Sequence, residues 1–450
     1  MKGRRVVITG LGAISPLGLT ADDLWSGLMS ARCGIDFIKA FDPAGFSCKL
    51  AGEAPEFKVQ KYVPKSYRKA VKLMSRDIEL SVVAADEAVR SSGLVTKATE
   101  QAGVNISPWR MAINLGAGVI SCDLVELAFA VAKSITDGRF DIHKWGSDGL
   151  ENLTPIWLLK YLPNMPACHV GIIHDIQGPS NTLTCGEASG HLAISEAAEI
   201  ISRGDADAAL AGGCEAKVNP IIMLRQCLLK RATSPSNDNP DAACRPFDAN
   251  AQGCVFGEGA GVVVLEELDS AVGRGAKIYA EVVGTGSSNN LSGAYEHQEA
   301  SGAGIQIAIE TALADAGISP AQLDLIIPHG TGILADDLAE ATAIQKVLGP
   351  AIRDVPVWPT KSMLSNTGAA SGALDLIAAA RAVDEGKIGA AKNCDNKAPG
   401  CELNITEQIL EKDIRFALCC SYTFGGQTAA VVLKSFDGFA PNNQKVNMLY

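Results

Sequence analysis

Histidine is scarce in this sequence, six residues in 450, at positions 143, 169, 174, 191, 297 and 329, with none beyond the last. The thirteen cysteines are odd in number and form no CxxC pair. That pattern reads as reduced core thiols in the cytosol, not as a disulfide framework, and no metal site is expected. Positive charge is in deficit. A net charge of −11 argues against general nucleic-acid binding. No apolar run reaches membrane-spanning length. Lys2, Arg4 and Arg5 lead directly into a strand without the apolar core of a signal peptide, so a cytoplasmic protein is expected.

What is present suits a large α/β enzyme-like body. A chain of 450 residues that is 47% hydrophobic buries a sizeable core, in two domains or pseudo-domains. Its 45 glycines serve tight α/β turns. The run Gly178-Pro-Ser-Asn-Thr-Leu-Thr-Cys-Gly-Glu-Ala-Ser-Gly190 marks a strand giving way to a helix expected from Ser189 to about Ser202. Leu192, Ile194, Ala197, Ala198, Ile200 and Ile201 make that helix apolar on most sides, hence central. A strand-to-helix turn aims one side chain into a cleft, within the positive field of the helix N-terminus. Chemistry usually puts a nucleophile there; this chain puts Glu187 there.

A duplication runs through the chain. Phe256-Gly-Glu-Gly-Ala-Gly-Val-Val-Val-Leu265 resembles Phe424-Gly-Gly-Gln-Thr-Ala-Ala-Val-Val-Leu433, and Val6-Val-Ile-Thr-Gly-Leu-Gly12 resembles Ala280-Glu-Val-Val-Gly-Thr-Gly286. Further motifs follow in order: Leu162-Pro-Asn-Met165, Ala211-Gly-Gly213, Arg245-Pro-Phe-Asp248, His329-Gly-Thr331, Lys361-Ser-Met363 and Phe424-Gly-Gly426. With these motifs the chain resembles a β-ketoacyl-acyl-carrier-protein synthase of the type II kind, within the thiolase-like superfamily, from about Arg5 to about Lys434.

The resemblance implies a thiolase-like five-layer α-β-α-β-α fold from two duplicated halves, residues 1–270 and 271–436, then a tail at 437–450. It implies a Cys-His-His triad for acyl-chain elongation. Counting from Gly178 and back from Gly190, the Cys position falls on Glu187 both times, and Cys185 lies two residues early. The first His matches His329. The second matches Asn366, and no later histidine can stand in for it. Elongation needs a thiolate to carry the acyl chain, and a carboxylate would give a labile mixed anhydride. Losing one enolate-stabilising donor typically costs roughly 3–4 kcal/mol, about 100- to 1000-fold in rate. Cys-dependent elongation is therefore expected to be absent.

Other positions carry the resemblance unevenly. Lys361, which follows a strand expected over Val355 to Thr360, is expected to support the triad, neutralising Glu187 or pairing with a carboxylate near His329 such as Asp337, and Glu340 to brace the same network. Phe424 matches a gate on the acyl pocket, with Thr423 where the family has a glycine. Thr331 matches a pantetheine-contacting threonine, and Ile333 replaces the second. The region holding Lys61, Lys65, Arg68, Lys69, Lys72 and Arg76 reads as a basic helix, either a solvated face or, with Lys65, Arg68, Lys69 and Arg231, a dock for acyl carrier protein.

Glu187 itself either caps its helix or pairs with a neighbour, or acts as a base or carboxylate mimic. Three functions stay open: a non-elongating partner like a chain-length factor, a malonyl-carrier decarboxylase for priming, and a Glu-dependent condensing enzyme or lyase with no acyl-enzyme. A dimer is expected through the strand at about Asn181 to Cys185, as homodimer or as heterodimer with a Cys-bearing ketosynthase. No cofactor is expected beyond the phosphopantetheine arm of the carrier protein.

Overall fold

The structure is a computed structural model that describes residues 3–99, 103–290 and 298–436. The expected tail at 437–450 lies outside the described residues, as does His297.

Among the described residues, nine strands form the main sheet: β1 (Val6–Ile14), β2 (Met111–Ala117), β3 (Ser180–Leu183), β4 (Ala208–Ala216), β5 (Glu258–Glu267), β6 (Ala280–Asn289), β7 (Leu325–Ile327), β8 (Phe416–Tyr422) and β9 (Gln427–Lys434). Every residue of β1, β2, β4 and β8 is buried, as strands covered on both faces require. The order is β7-β8-β9-β6-β1-β5-β4-β2-β3. It divides into two copies of one pattern, β1-β5-β4-β2-β3 and β6-β9-β8-β7, the second continued by a parallel bridge from Ile326 to Val357. In the first copy β2 runs parallel to β3 and β4, and β5 antiparallel to β4 and β1. In the second, β7 is parallel to β8, and β9 antiparallel to β8 and β6. Even the irregularities repeat: the register slips between Ile8 and Gly10 in β1 and between Val282 and Gly284 in β6. The copies join where β1 meets β6 over three residue pairs, Val6 to Ile8 against Ala280 to Val282.

Six helices complete the layers: α1 (Arg76–Ser92), α2 (Met165–His174), α3 (Ser189–Ser202), α4 (Ala303–Ala316), α5 (Leu334–Leu348) and α6 (Ser371–Glu385). One core packs Ile194, Ala197 and Ile201 of α3 and Leu374, Leu376 and Ile377 of α6 with strands of both copies. A second packs α1 and α2 on the outer face of the first copy, and a third packs α4 and α5 on the second. The result is the expected α-β-α-β-α stack, with α3 and α6 in the middle layer. Their N-termini, Ser189 and Ser371, follow the two turns that matter for function.

Three local expectations are corrected. The basic region before α1 is not a helix but a string of 3₁₀ turns, Val59–Lys61, Lys65–Tyr67 and Ala70–Leu73. Pro64 fixes its own φ and pushes the residue before it out of helical conformation. The strand expected over 355–360 is reduced to bridges through Val357. The strand before Glu187 ends at Leu183, so the turn is longer than the pattern suggests.

Candidate functional site

Between β3 and α3 the chain makes a 3₁₀ turn, Gly186–Ala188. Ser189 staples it: its hydroxyl accepts from the Cys185 N–H at 2.8 Å and donates to the Gly186 carbonyl at 2.7 Å. The Glu187 side chain turns inward and is 5% exposed. It reaches the end of β4, where Glu215 and Lys217, two residues apart, share one face of the extended chain. The Lys217 ammonium donates to Glu187 Oε1 at 3.1 Å and lies 3.6 Å from Glu215 Oε1. Glu215 Oε2 accepts from the Ala369 N–H at 2.7 Å, just before α6. These three side chains line a cavity of about 490 Å³, together with Cys185, Thr423 and Phe424.

The charges in this cluster are coupled. Burial opposes the Glu187 charge, yet Lys217, joined by His329 and the backbone, outweighs it and holds the carboxyl well below the usual carboxylate range. Arg231 adds to that field from farther away. Burial also pulls on Lys217, but Glu187 and Glu215 raise its pKa above the ordinary lysine value. Burial raises the Glu215 carboxyl, which shares a single ammonium with Glu187.

A second cluster lies deeper. His329, past the end of β7, is 1% exposed and does not line the cavity. Its ring packs edge-on against Tyr422, centroids 4.7 Å apart, and its Nδ1 has no hydrogen-bond partner. Its backbone N–H and that of Gly330 donate to Glu340 at 2.7 and 2.8 Å. Burial, with Lys361 nearby, lowers the His329 pKa well below the usual value, so the imidazole is neutral. With a neutral imidazole at His329, the main charge holding Glu187 ionised is the Lys217 ammonium in contact with it. Burial pushes the Glu340 carboxyl up to about 8, although its two backbone bonds favour the ionised form.

Lys361 is 1% exposed and donates to Asp375 on α6 at 2.6 Å. Thr360 donates to the other oxygen of Asp375, also at 2.6 Å. This corrects the expectation that Lys361 meets Glu187 or Asp337. Asp337 instead accepts from the Thr331 and Gly332 N–H groups at 2.7 and 3.0 Å and from the Phe247 N–H at 2.9 Å, pinning the loop after β7. Asn366 follows Ser365, whose φ of +63° is a strained conformation for a side-chain-bearing residue. The Asn366 Oδ1 accepts from the Gly368 N–H at 2.9 Å and from Ser371 Oγ at 3.4 Å. Of the four expected catalytic positions, only Glu187 faces the cavity; His329, Lys361 and Asn366 are buried behind it.

The gate and docking positions separate as well. Lys65, Arg68 and Lys69 are exposed. Arg231 does not join them: it is 4% exposed, donates to Asp336 at 2.8 Å and stacks over the Phe424 ring at 4.8 Å. Gln298 Nε2 donates to the Thr423 carbonyl, and the Gln298 N–H donates to Asp336 Oδ1 at 2.8 Å, which ties the same carboxylate to the gate loop. The Thr331 hydroxyl donates to Asp337 at 2.9 Å and accepts from the Ile333 N–H at 3.0 Å, while Ile333 is buried in an apolar cluster.

Comparison with known proteins fits this frame. The family model for the Beta-ketoacyl synthase, N-terminal domain matches residues 3–271, and that for the Beta-ketoacyl synthase, C-terminal domain matches 279–395. The chain belongs to the beta-ketoacyl synthase family. It is 33% identical over 440 residues to a 3-oxoacyl-[acyl-carrier-protein] synthase 2 of Staphylococcus aureus, covering 97% of this chain and 99% of that one. It is 33% identical over 439 residues to the enzyme of that name from Vibrio cholerae, covering 96% of this chain and 100% of the other. Among solved structures, the ishigamide ketosynthase/chain length factor matches with a TM-score of 0.81 at 29% identity, covering 96% of this chain and 100% of that one. A beta-ketoacyl synthase from Burkholderia phymatum matches with a TM-score of 0.83 at 26% identity, covering 96% and 100%.

Within that family frame, sequence reasoning missed Lys217, Glu215 and Asp375. The pair Glu215-Ala-Lys217 at the end of a buried strand carried a signal, because opposite charges two residues apart on a strand end share one face. Asp375 carried one too, as an acidic residue inside the apolar run Ala373–Ala380 of its helix.

Proposed function

We propose that this chain is a non-elongating ketosynthase-family subunit of fatty-acid or polyketide biosynthesis, in the manner of a chain-length factor. The observation that carries the reading is Glu187, which stands at the nucleophile position and is ion-paired to Lys217 at 3.1 Å. A carboxylate held ionised by a buried lysine neither forms a thioester nor serves as an effective base, since a base needs a pKa near the working pH. The likeness to the ishigamide ketosynthase/chain length factor supports the same reading.

The two other readings have less to work with. Malonyl-carrier decarboxylation wants donors for an enolate oxygen, and Asn366 is 2% exposed and does not line the cavity. Condensation without an acyl-enzyme wants Glu187 as base, which Lys217 opposes.

The proposed partners are an acyl carrier protein, steered by Lys65, Arg68 and Lys69, and a Cys-bearing ketosynthase. The carrier's phosphopantetheine arm is the one prosthetic group the reading involves, and the proposed location is the cytoplasm. Strand β3 is the free edge of the sheet, and its Ser180 and Asn181 are exposed. Pairing of that edge across a two-fold or pseudo-two-fold axis would bury well over about 2,000 Å² in a permanent dimer. Co-expression with the ketosynthase encoded beside it tests the reading. A stoichiometric heterodimer whose product length changes with this subunit is expected. A chain that elongates acyl-carrier alone overturns it.

A further inference from the structure

The cluster of Glu187, Lys217 and Glu215 is built into the cavity floor. Two glycines make room for it. A Cβ at Gly118 would fall inside the Glu215 carboxylate. A Cβ at Gly368 would overlap Glu215 Oε2 and Lys217 Cε, and Gly368 also has φ +61°. Surface ion pairs need no such carving. The three side chains are 3 to 5% exposed, and each lines the cavity.

The groups that act on Glu187 come from several elements. Lys217 and Glu215 lie at the end of β4, Arg231 beyond Pro220–Leu228, His329 beyond β7, and the Cys254 thiol before β5. His329 is neutral, and Arg231 is bonded to Asp336. Lys217 is thus the cation in contact with Glu187, and it is shared with a second carboxylate.

We propose that Lys217 is the positioning residue of this site: its ammonium, shared with Glu215, fixes the Glu187 carboxylate on the cavity floor, so the floor offers a malonyl carboxylate no uncommitted cation and favours an uncharged acyl end, the exposed Arg225 being a further cation on the cavity wall. The proposal rests on the non-elongating reading and sharpens it. The site is not merely missing a thiol; it carries an internal ion pair that selects against the anionic extender and leaves room for a neutral chain.

The test reads the Glu187 carboxyl carbon by NMR in full-length protein labelled with ¹³C-glutamate, its resonance assigned by its loss in Glu187→Gln. In the wild type the carboxyl stays ionised through the acid range in which the protein is folded. In Lys217→Met burial dominates, and the titration moves up by at least about two pH units. Lys217→Arg keeps the wild-type behaviour. A wild-type Glu187 that titrates near the ordinary value of about 4.3 overturns the assignment, whether or not Lys217→Met folds. So does a Lys217→Met protein whose Glu187 titration is unmoved.

A binding arm uses acetyl- and malonyl-pantetheine. The wild type prefers the acetyl thioester by about tenfold or more, equivalent to about 1.4 kcal/mol. The preference narrows in Lys217→Met below its new Glu187 pKa, and an unchanged preference overturns the selectivity claim. Failure here stays separable from failure of the non-elongating reading. Covalent acylation or elongation by wild type, with the titration as expected, sinks that reading alone. An ordinary Glu187 titration in a protein that takes no acyl group sinks only the role of Lys217.

Discussion

Two charge clusters meet near the N-termini of α3 and α6, and they are built differently. Around His329, Glu340, Lys361 and Asp375, carboxylates are matched to donors nearby in sequence: Glu340 to backbone N–H groups 10 and 11 residues away, Asp375 to an ammonium 14 residues away. That cluster is sealed from the cavity. Around Glu187 the pairing runs across 30 residues, two carboxylates share one ammonium, and all three groups line the cavity. The sealed cluster does a scaffold's work: it holds the loop after β7 and the start of α6. The open cluster lines the cavity, at the position where the resemblance implies a reactive cysteine.

The largest expected effect tests the sealed cluster. Lys361→Met leaves Asp375 buried and unpaired, which typically costs about 3–5 kcal/mol, read by denaturant unfolding. Lys217→Met should cost less, because its carboxylates face a cavity that admits water. The reverse order would break the contrast between the two clusters.

Stability against pH separates them next, with opposite signs. Glu187 is depressed in the folded protein, so its contribution is present above the unfolded carboxylate pKa of about 4.3 and is lost as pH falls. Glu340 is raised to about 8, so its contribution is fully present below about 4.3 and is lost as pH climbs toward 8. Glu187→Gln should flatten the loss of stability as pH falls below about 4.3, and Glu340→Gln the decline as pH rises from about 4.3 to about 8. Matching profiles for the two variants would remove the distinction.

The smallest effect concerns the surface. Reversing charge at Lys65, Arg68 and Lys69 should weaken binding of an acidic carrier protein by about tenfold and reduce its salt dependence. Arg231→Gln should leave that salt dependence unchanged, because its guanidinium is buried on Asp336 and Phe424. A shared salt response would return Arg231 to the docking face.

Much of the fold was legible in residue order. The helix read as Ser189 to about Ser202 spans those residues in the structure, because its apolar positions and the turn before it both mark its limits. The duplicated strand motifs map onto two sheet copies with the same order and the same bulge. Glu187 drew attention through the strand-to-helix turn it occupies and the position that the resemblance gives it.

The partners were not. Lys217, Asp375 and Asp336 meet their counterparts only through the packing of different elements, and charge along a chain does not say which opposite charge folding will bring near. Arg231 read as a surface residue because its neighbours Leu229 and Lys230 gave no sign that Phe424 and Asp336 would cover it. The charge run from Lys61 to Arg76 read as one helix because its content of Lys and Arg favours helix, and Pro64 broke it.

The central claim is that the nucleophile position of this beta-ketoacyl synthase family member takes no acyl group, and intact-protein mass spectrometry after incubation with acyl-carrier or with a cerulenin-type epoxide addresses it most directly. Burial raises the pKa of the neighbouring Cys185, so it offers no substitute thiolate. The account predicts an unmodified mass under conditions that fully label a Cys-bearing ketosynthase; stoichiometric acylation, at Cys185 or elsewhere in the cavity, would contradict it.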